Sequence, residues 1–152
     1  MTFEQTVSLP ADPDRVWAFV MDVPSVAKCI PGVEAVEDLG GDRYRATVKV
    51  RVGPIGLALQ SEIRVVERDE ATRTAAMQVE GADKRIGGAV KATMTMQLNP
   101  GPEGTSMEVK TDAQVMGRIG DFGQPVIRKK ADQMLQEVGA NMRAALATSP
   151  TA

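Results

Sequence analysis

Arg43-Tyr44-Arg45-Ala46-Thr47-Val48-Lys49-Val50-Arg51-Val52 alternates without a break. Tyr44, Ala46, Val48, Val50 and Val52 fall on one face, and Arg43, Arg45, Thr47, Lys49 and Arg51 on the other. That is the period-two pattern of a strand with one face in a core and one in water. The period persists downstream. Residues 53–56, Gly-Pro-Ile-Gly, turn the chain into a segment carrying Leu57, Leu59, Ser61, Ile63 and Val65 in phase, and 70–72 leads into Ala75, Met77 and Val79. Gly87-Gly88 opens a strand whose inward set is Ala92, Met94, Met96 and Leu98, closed by Asn99-Pro100-Gly101. A last strand places Met107, Val109, Thr111, Ala113 and Val115 inward. With a first strand over Thr2–Leu9 and another over 33–39, about seven strands are expected.

Helical signals flank this run. Asp12 followed by Pro13 is an N-cap and a first-turn proline, and Val16, Trp17 and Val20 give that helix its buried face. Val23-Pro24 breaks it, because proline restricts the residue before it, and a second short turn over 24–28 follows. After Gly123-Gln124-Pro125 the period changes to 3.6. Ile127, Ala131, Met134, Leu135, Val138, Met142, Ala145 and Leu146 form one stripe, with Lys129, Asp132, Gln133, Gln136 and Arg143 opposite. A helix of about twenty residues is expected, and Gly139 inside it marks close packing or a bend. Antiparallel strands followed by a segregated helix define an α+β domain.

The chain has 152 residues, a formal net charge of -2, nine methionines and only 3% aromatic residues. A domain of this length buries roughly 70% of its unfolded surface. Residues 1–147 read as one domain and 148–152, Thr-Ser-Pro-Thr-Ala, as a flexible tail or the start of a linker. The field of so mild a charge does not steer the chain to nucleic acid and does not forbid contact with an anionic bilayer. The N-terminus carries no secretory pattern and the single cysteine, Cys29, forms no internal disulfide, so a reducing, cytoplasmic setting is expected. No stretch approaches the ~18 apolar residues of a membrane span.

Without histidine, a Ser-His or Cys-His pair and a histidine zinc site are excluded. Cys29 reads as a small buried apolar group; a nucleophilic or redox role would need Lys28 to lower its pKa. Glu80, Asp83 and Asp112 show no dyad spacing and read as solvent-facing. Asp83-Lys84-Arg85 between Gly81 and Gly87-Gly88 reads as a hairpin turn, since no Gly-Lys-Ser/Thr and no helix follow.

Several segments, in order, carry a family resemblance. They are Leu9-Pro10-Ala11-Asp12-Pro13 before Val16-Trp17, Cys29-Ile30-Pro31-Gly32-Val33-Glu34, Tyr44-Arg45-Ala46-Thr47-Val48-Lys49-Val50, Val52-Gly53-Pro54, and Asp112-Ala113-Gln114-Val115 with Gly117 and Gly120. Over 1–146 the chain resembles the CoxG family of carbon monoxide dehydrogenase subunits, within the START and plant-allergen-like (SRPBCC) superfamily. The resemblance implies a helix-grip fold: a curved antiparallel sheet wrapped on one long C-terminal helix, with two short helices after the first strand. It also implies an accessory protein of aerobic molybdenum carbon monoxide dehydrogenase or a related molybdoenzyme, recruiting it to the cytoplasmic membrane surface. In such a system a fold that encloses an apolar molecule would carry a respiratory quinone, menaquinone, as a non-covalent ligand.

The side chains expected to line that space are Met77, Val79, Met94, Met96, Met107, Val109, Thr111 and Ala113 from the sheet, and Ile127, Met134, Val138 and Met142 from the helix. Methionine fills an ordinary core or adapts to a ligand, and so many on facing surfaces favour the latter. Thr111 and Ser61 are the polar groups nearest, each able to bond a ligand carbonyl or local backbone. Arg128-Lys129-Lys130, Arg43, Arg45 and Lys49 read as solvated faces, or as a cluster for anionic lipid or an acidic partner. No catalytic or metal-binding residue is assigned. Two alternatives stay open: a recruitment adaptor with a filled interior, and a polyketide cyclase or dehydratase-like enzyme, which needs convergent acid and base groups.

Overall fold

The computed structural model describes residues 1–148. The elements run β1 (Thr2–Leu9), α1 (Pro13–Met21), α2 (Val23–Ala27), β2 (Val33–Gly40), β3 (Arg43–Val52), β4 (Ile55–Asp69), β5 (Thr74–Asp83), β6 (Gly88–Gly101), β7 (Gly104–Gly117), a 3-10 turn (Arg118–Phe122) and α3 (Gln124–Thr148). This is the expected α+β order. The seven strands form one sheet, β1-β7-β6-β5-β4-β3-β2, with every neighbouring pair antiparallel. β2 to β7 are therefore a meander, and β1 closes the far edge beside β7.

Local chemistry sets the boundaries. Asp12 Oδ1 accepts from the Arg15 N–H at 2.9 Å, and Pro13 occupies the first turn of α1. α1 buries Val16, Trp17 and Val20. Asp22 interrupts the path, and α2 begins at Val23, one residue before the proline. Residues 53–54 alone make the β3–β4 turn, because Ile55 and Gly56 already pair with Val52 and Arg51. At Gly117, φ is 68° and a Cβ would lie 2.2 Å from the Gly87 carbonyl oxygen, so only glycine fits where β7 leaves the sheet. The 3-10 turn that follows was not legible as a period.

Bulges between Val65 and Glu67 in β4, and at two places in β2, bend the sheet, which curls around α3. Its concave face carries two buried clusters. One gathers Leu9, Val16, Trp17, Leu98, Met107, Met142 and Leu146, joining β1, β6 and β7 to α1 and the C-terminal half of α3. The other gathers Val50, Val52, Leu57 and Ile119, with Phe122 and Met134 packed against it.

Polar ties hold α3 in place along its length. Arg143 donates to the Ser8 carbonyl and pairs with Glu103 at 2.7 Å, Asn141 donates to the Cys29 carbonyl at 2.8 Å, and Arg15 donates to the Leu146 carbonyl at 2.8 Å. α3 has 25 residues, longer than expected, and Thr148 is its last. The tail read from the sequence otherwise lies outside the described residues.

Candidate functional site

Strand register brings the inner side chains into rows. Ala75 on β5 faces Met96 on β6, Met96 faces Val109 on β7, and Val109 faces Gln5 on β1. The next row is Val65, Met77, Met94, Thr111 and Phe3. Beyond the first row lie Leu98, Met107 and Val7. α3 crosses above these rows, with Gly139 against Val7: a Cβ there would lie 3.3 Å from Val7 Cγ2. The glycine thus marks close packing of α3 on β1.

Between α3, α1–α2 and these rows lies a cavity of about 110 Å³, open to solvent. Six of its lining residues are methionines, Met21, Met77, Met94, Met96, Met107 and Met142, and the only polar side chain among them is that of Gln5. No titratable side chain faces it. The cavity is comparable with, and somewhat smaller than, a ~150 Å³ engineered apolar cavity that binds benzene.

Of the residues expected to line a pocket, the structure brings together Met77, Met94, Met96, Met107, Val109, Val138 and Met142. Val79, Thr111, Ala113, Ile127 and Met134 lie outside the cavity wall. Val79 and Ala113 are in a row with Ala92, farther along the concave face, and Met134 packs on the Val50–Ile119 cluster. The concave face is simply longer than the cavity. Sequence reasoning missed Gln5, Val7, Val20, Met21, Val23, Val26, Val65, Ala75, Ala76, Leu135 and Gly139 as cavity lining. For Gln5 a signal existed: it is a polar residue in the apolar phase of Phe3, Val7 and Leu9.

Three polar readings are resolved. Asp83 is not solvent-facing: its side chain is 4% exposed, and it accepts from the backbone N–H groups of Ala58 (2.9 Å), Arg85 (3.0 Å) and Ile86 (3.3 Å). The Ala58 bond, with Arg85 and Ile86 assisting, holds its carboxyl below the usual range against the opposing effect of burial. The Asp83–Gly87 stretch is the hairpin turn between β5 and β6, as expected. Ser61 is committed to backbone, donating to the Leu59 carbonyl at 3.2 Å. Cys29 is buried, burial pushes its thiol pKa up, and its Sγ donates to the Ser25 carbonyl at 3.6 Å.

The basic residues separate into two groups. Arg43, Arg45 and Lys49 pair with Glu62, Glu37 and Glu34 across the convex face. Arg128, Lys129 and Lys130 lie in the second turn of α3, at the end of the molecule that also holds Arg118, Lys84 and Arg85. Arg118 N–H bonds the Gly87 carbonyl, and Arg85 reaches the Gly56 carbonyl at 3.1 Å. Arg128 also stacks over the Phe3 ring at 4.8 Å. The turns at the other end carry Asp14, Asp42 and Glu103, each paired with an arginine of the same end, Arg73, Arg68 and Arg143. Among the described residues, no helix is long and apolar enough to cross a membrane.

Residues 6–147 match the family model of CoxG, a carbon monoxide dehydrogenase subunit. Among curated proteins none matches the sequence. A conserved protein from Geobacillus kaustophilus superposes with a TM-score of 0.88 at 21% identity, over 98% of this chain and 97% of that one. Ara h 8.0201 gives 0.68 at 18% identity, over 98% and 99%. The Zhui aromatase/cyclase from a Streptomyces species gives 0.67 at 18%, over 97% and 93%. At these identities the likeness is one of fold, the helix-grip fold.

Proposed function

The chain belongs to the CoxG family of carbon monoxide dehydrogenase subunits, and from that membership and the cavity we propose that it is a non-enzymatic carrier of an apolar ligand. The ligand that best suits an accessory protein of aerobic molybdenum carbon monoxide dehydrogenase is a respiratory quinone such as menaquinone. The carrier would take it up at the cytoplasmic membrane surface, where the enzyme is recruited and its electrons are passed on.

The observation that carries this reading is the cavity wall: apolar on every side but one, rich in methionine, and free of titratable groups. Each methylene removed from water there gains roughly 0.8 kcal/mol, so a few isoprene units outweigh a modest cost of opening. At about 110 Å³ the space is ring-sized, and a naphthoquinone with its tail requires the walls to yield. Methionine side chains, unbranched and with three rotatable bonds, yield at low cost. Met94 and Met96 on β6, Met77 on β5 and Met142 on α3 are the groups that would hold the ring.

The basic end formed by Lys84, Arg85, Arg118 and Arg128 to Lys130 supports contact with anionic lipid headgroups. A cyclase-type enzyme shares this fold, but its chemistry needs acid and base groups converging on the substrate, and this wall presents an amide alone. The test is to purify the protein without denaturation, extract it with organic solvent and analyse the extract by mass spectrometry. An isoprenoid quinone in near-stoichiometric amount is the expected result. Absence of any quinone or lipid, from cells that contain both, contradicts the proposal.

A further inference from the structure

Gln5 is out of place in its strand. β1 alternates, with Thr2, Glu4 and Thr6 exposed on the outer face and Phe3 and Leu9 buried on the inner one. Gln5 falls in the inner phase, opposite Val109, and lines the cavity with apolar residues around it. Its carboxamide makes no hydrogen bond to another protein side chain or backbone group among the described residues. A leucine or methionine in its place would complete the apolar wall. Gln5 is half-buried and the cavity is open to solvent, so water meets its amide in the free protein, and a ligand that displaces that water must offer a hydrogen bond in its place.

We infer that Gln5 is the polar anchor of this cavity: its carboxamide hydrogen-bonds a ring oxygen of the ligand, so the site selects an oxygen-bearing ring over a hydrocarbon of the same shape. This rests on the carrier reading and deepens it by naming the group that distinguishes ligands. The two other polar candidates on the concave face do not compete. Ser61 is committed to the Leu59 carbonyl, and Thr111 lies outside the cavity wall.

The chemistry of a carboxamide suits a redox pair. Its NH2 donates to a ring carbonyl, and its carbonyl oxygen accepts from a ring hydroxyl, so one side chain, by turning over, serves the oxidised and the reduced form. A lysine would not treat the two alike, and a serine could serve both only if it reached the ring. A lysine offers donors only, and a short hydroxyl on this strand would not reach as far from the backbone.

Binding of two probe rings tests the inference: menadione, a methylated naphthoquinone, and methylnaphthalene, which has the same fused ring without the oxygens. Calorimetric or spectroscopic titration of the parent protein is expected to show menadione bound about tenfold more tightly, the size of one ordinary net hydrogen bond. Gln5→Leu is expected to lose that preference by weakening menadione about tenfold while leaving methylnaphthalene as tight or tighter. Gln5→Met, which keeps an unbranched chain and removes the amide, should do the same and guards against a packing defect peculiar to leucine. If the parent binds both rings equally, or if either variant keeps the preference, Gln5 is not the anchor and the carrier reading stands. If the parent binds neither ring, the cavity does not hold a ring and the anchoring role of Gln5 is overturned, while the carrier reading stands or falls by the extraction.

Discussion

A glycine in the middle of a 25-residue helix needs a reason, and Val7 supplies it. The Cβ of an alanine at 139 would press on the Val7 isopropyl group by a few tenths of an ångström, while gaining about 1 kcal/mol of helix propensity. Gly139→Ala is therefore expected to leave stability within about 1 kcal/mol of the parent. Gly139→Leu forces α3 off β1 and should cost about 1–3 kcal/mol in chemical denaturation; an unchanged midpoint would show that the contact is slack. Glu103 makes a second residue-scale prediction. The Arg143 guanidinium, with Ser8 assisting, lowers its carboxyl from 4.5 to about 2. A carboxyl made more acidic by folding stabilises the native chain above its unfolded value and loses that contribution as pH falls through the folded one. Glu103→Gln should thus melt earlier than the parent near neutrality, with the two curves converging between pH 4.5 and about 2. Curves that stay parallel through that window contradict the assignment. Asp83 titrates in the same direction, through its Ala58 bond. Gln5 was legible in principle from its phase in β1. The burial of Asp83 was not, since its first partner, Ala58, lies on another strand and local polarity says nothing of it.

At the level of elements, alternation carried most of the information. β1 and β3 match their expected bounds, because apolar and polar residues alternate throughout β3 and in β1 at every position but Gln5. β2 is less regular: its expected span of 33–39 is found as Val33–Gly40, but two bulges and a positive φ at Ala35 break its phase, so the sequence does not show which of its side chains face inward. The capped start of α1 was readable, and Asp12→Ala is expected to cost about 1 kcal/mol, measured by urea or thermal unfolding; no change would mean that another group satisfies the Arg15 N–H. That α1 and α2 contribute Val20, Met21, Val23 and Val26 to the cavity was not readable. A nine-residue helix shows which face is buried but not what it is buried against. The methionines on β6 make a prediction about walls. Met94→Ile with Met96→Ile replaces flexible chains by β-branched ones that hold a single χ1 well. Stability should change by less than about 1.5 kcal/mol for each substitution, while affinity for menadione falls several-fold. Equal affinity would mean that the cavity admits the ring without moving.

Across the whole molecule, a net charge of -2 hid the feature most relevant to membranes. Residues scattered between 84 and 130 converge because the β5–β6 turn, the end of β7 and the start of α3 share one end of the sheet, and only the strand order reveals it. Lys129→Glu with Lys130→Glu should weaken binding to vesicles rich in anionic lipid, and added salt should weaken the parent's binding in the same way. Binding that ignores both changes would show that the basic end does not meet the lipid. The nine methionines report directly on whether the interior admits a ring. Their isotope-labelled methyl groups can be followed by NMR as menadione is added. Met21, Met77, Met94, Met96, Met107 and Met142, which line the cavity, are expected to shift on addition while Met1, Met116 and Met134 do not. Shifts confined to the second set, or none at all at saturating menadione, would contradict binding in the cavity.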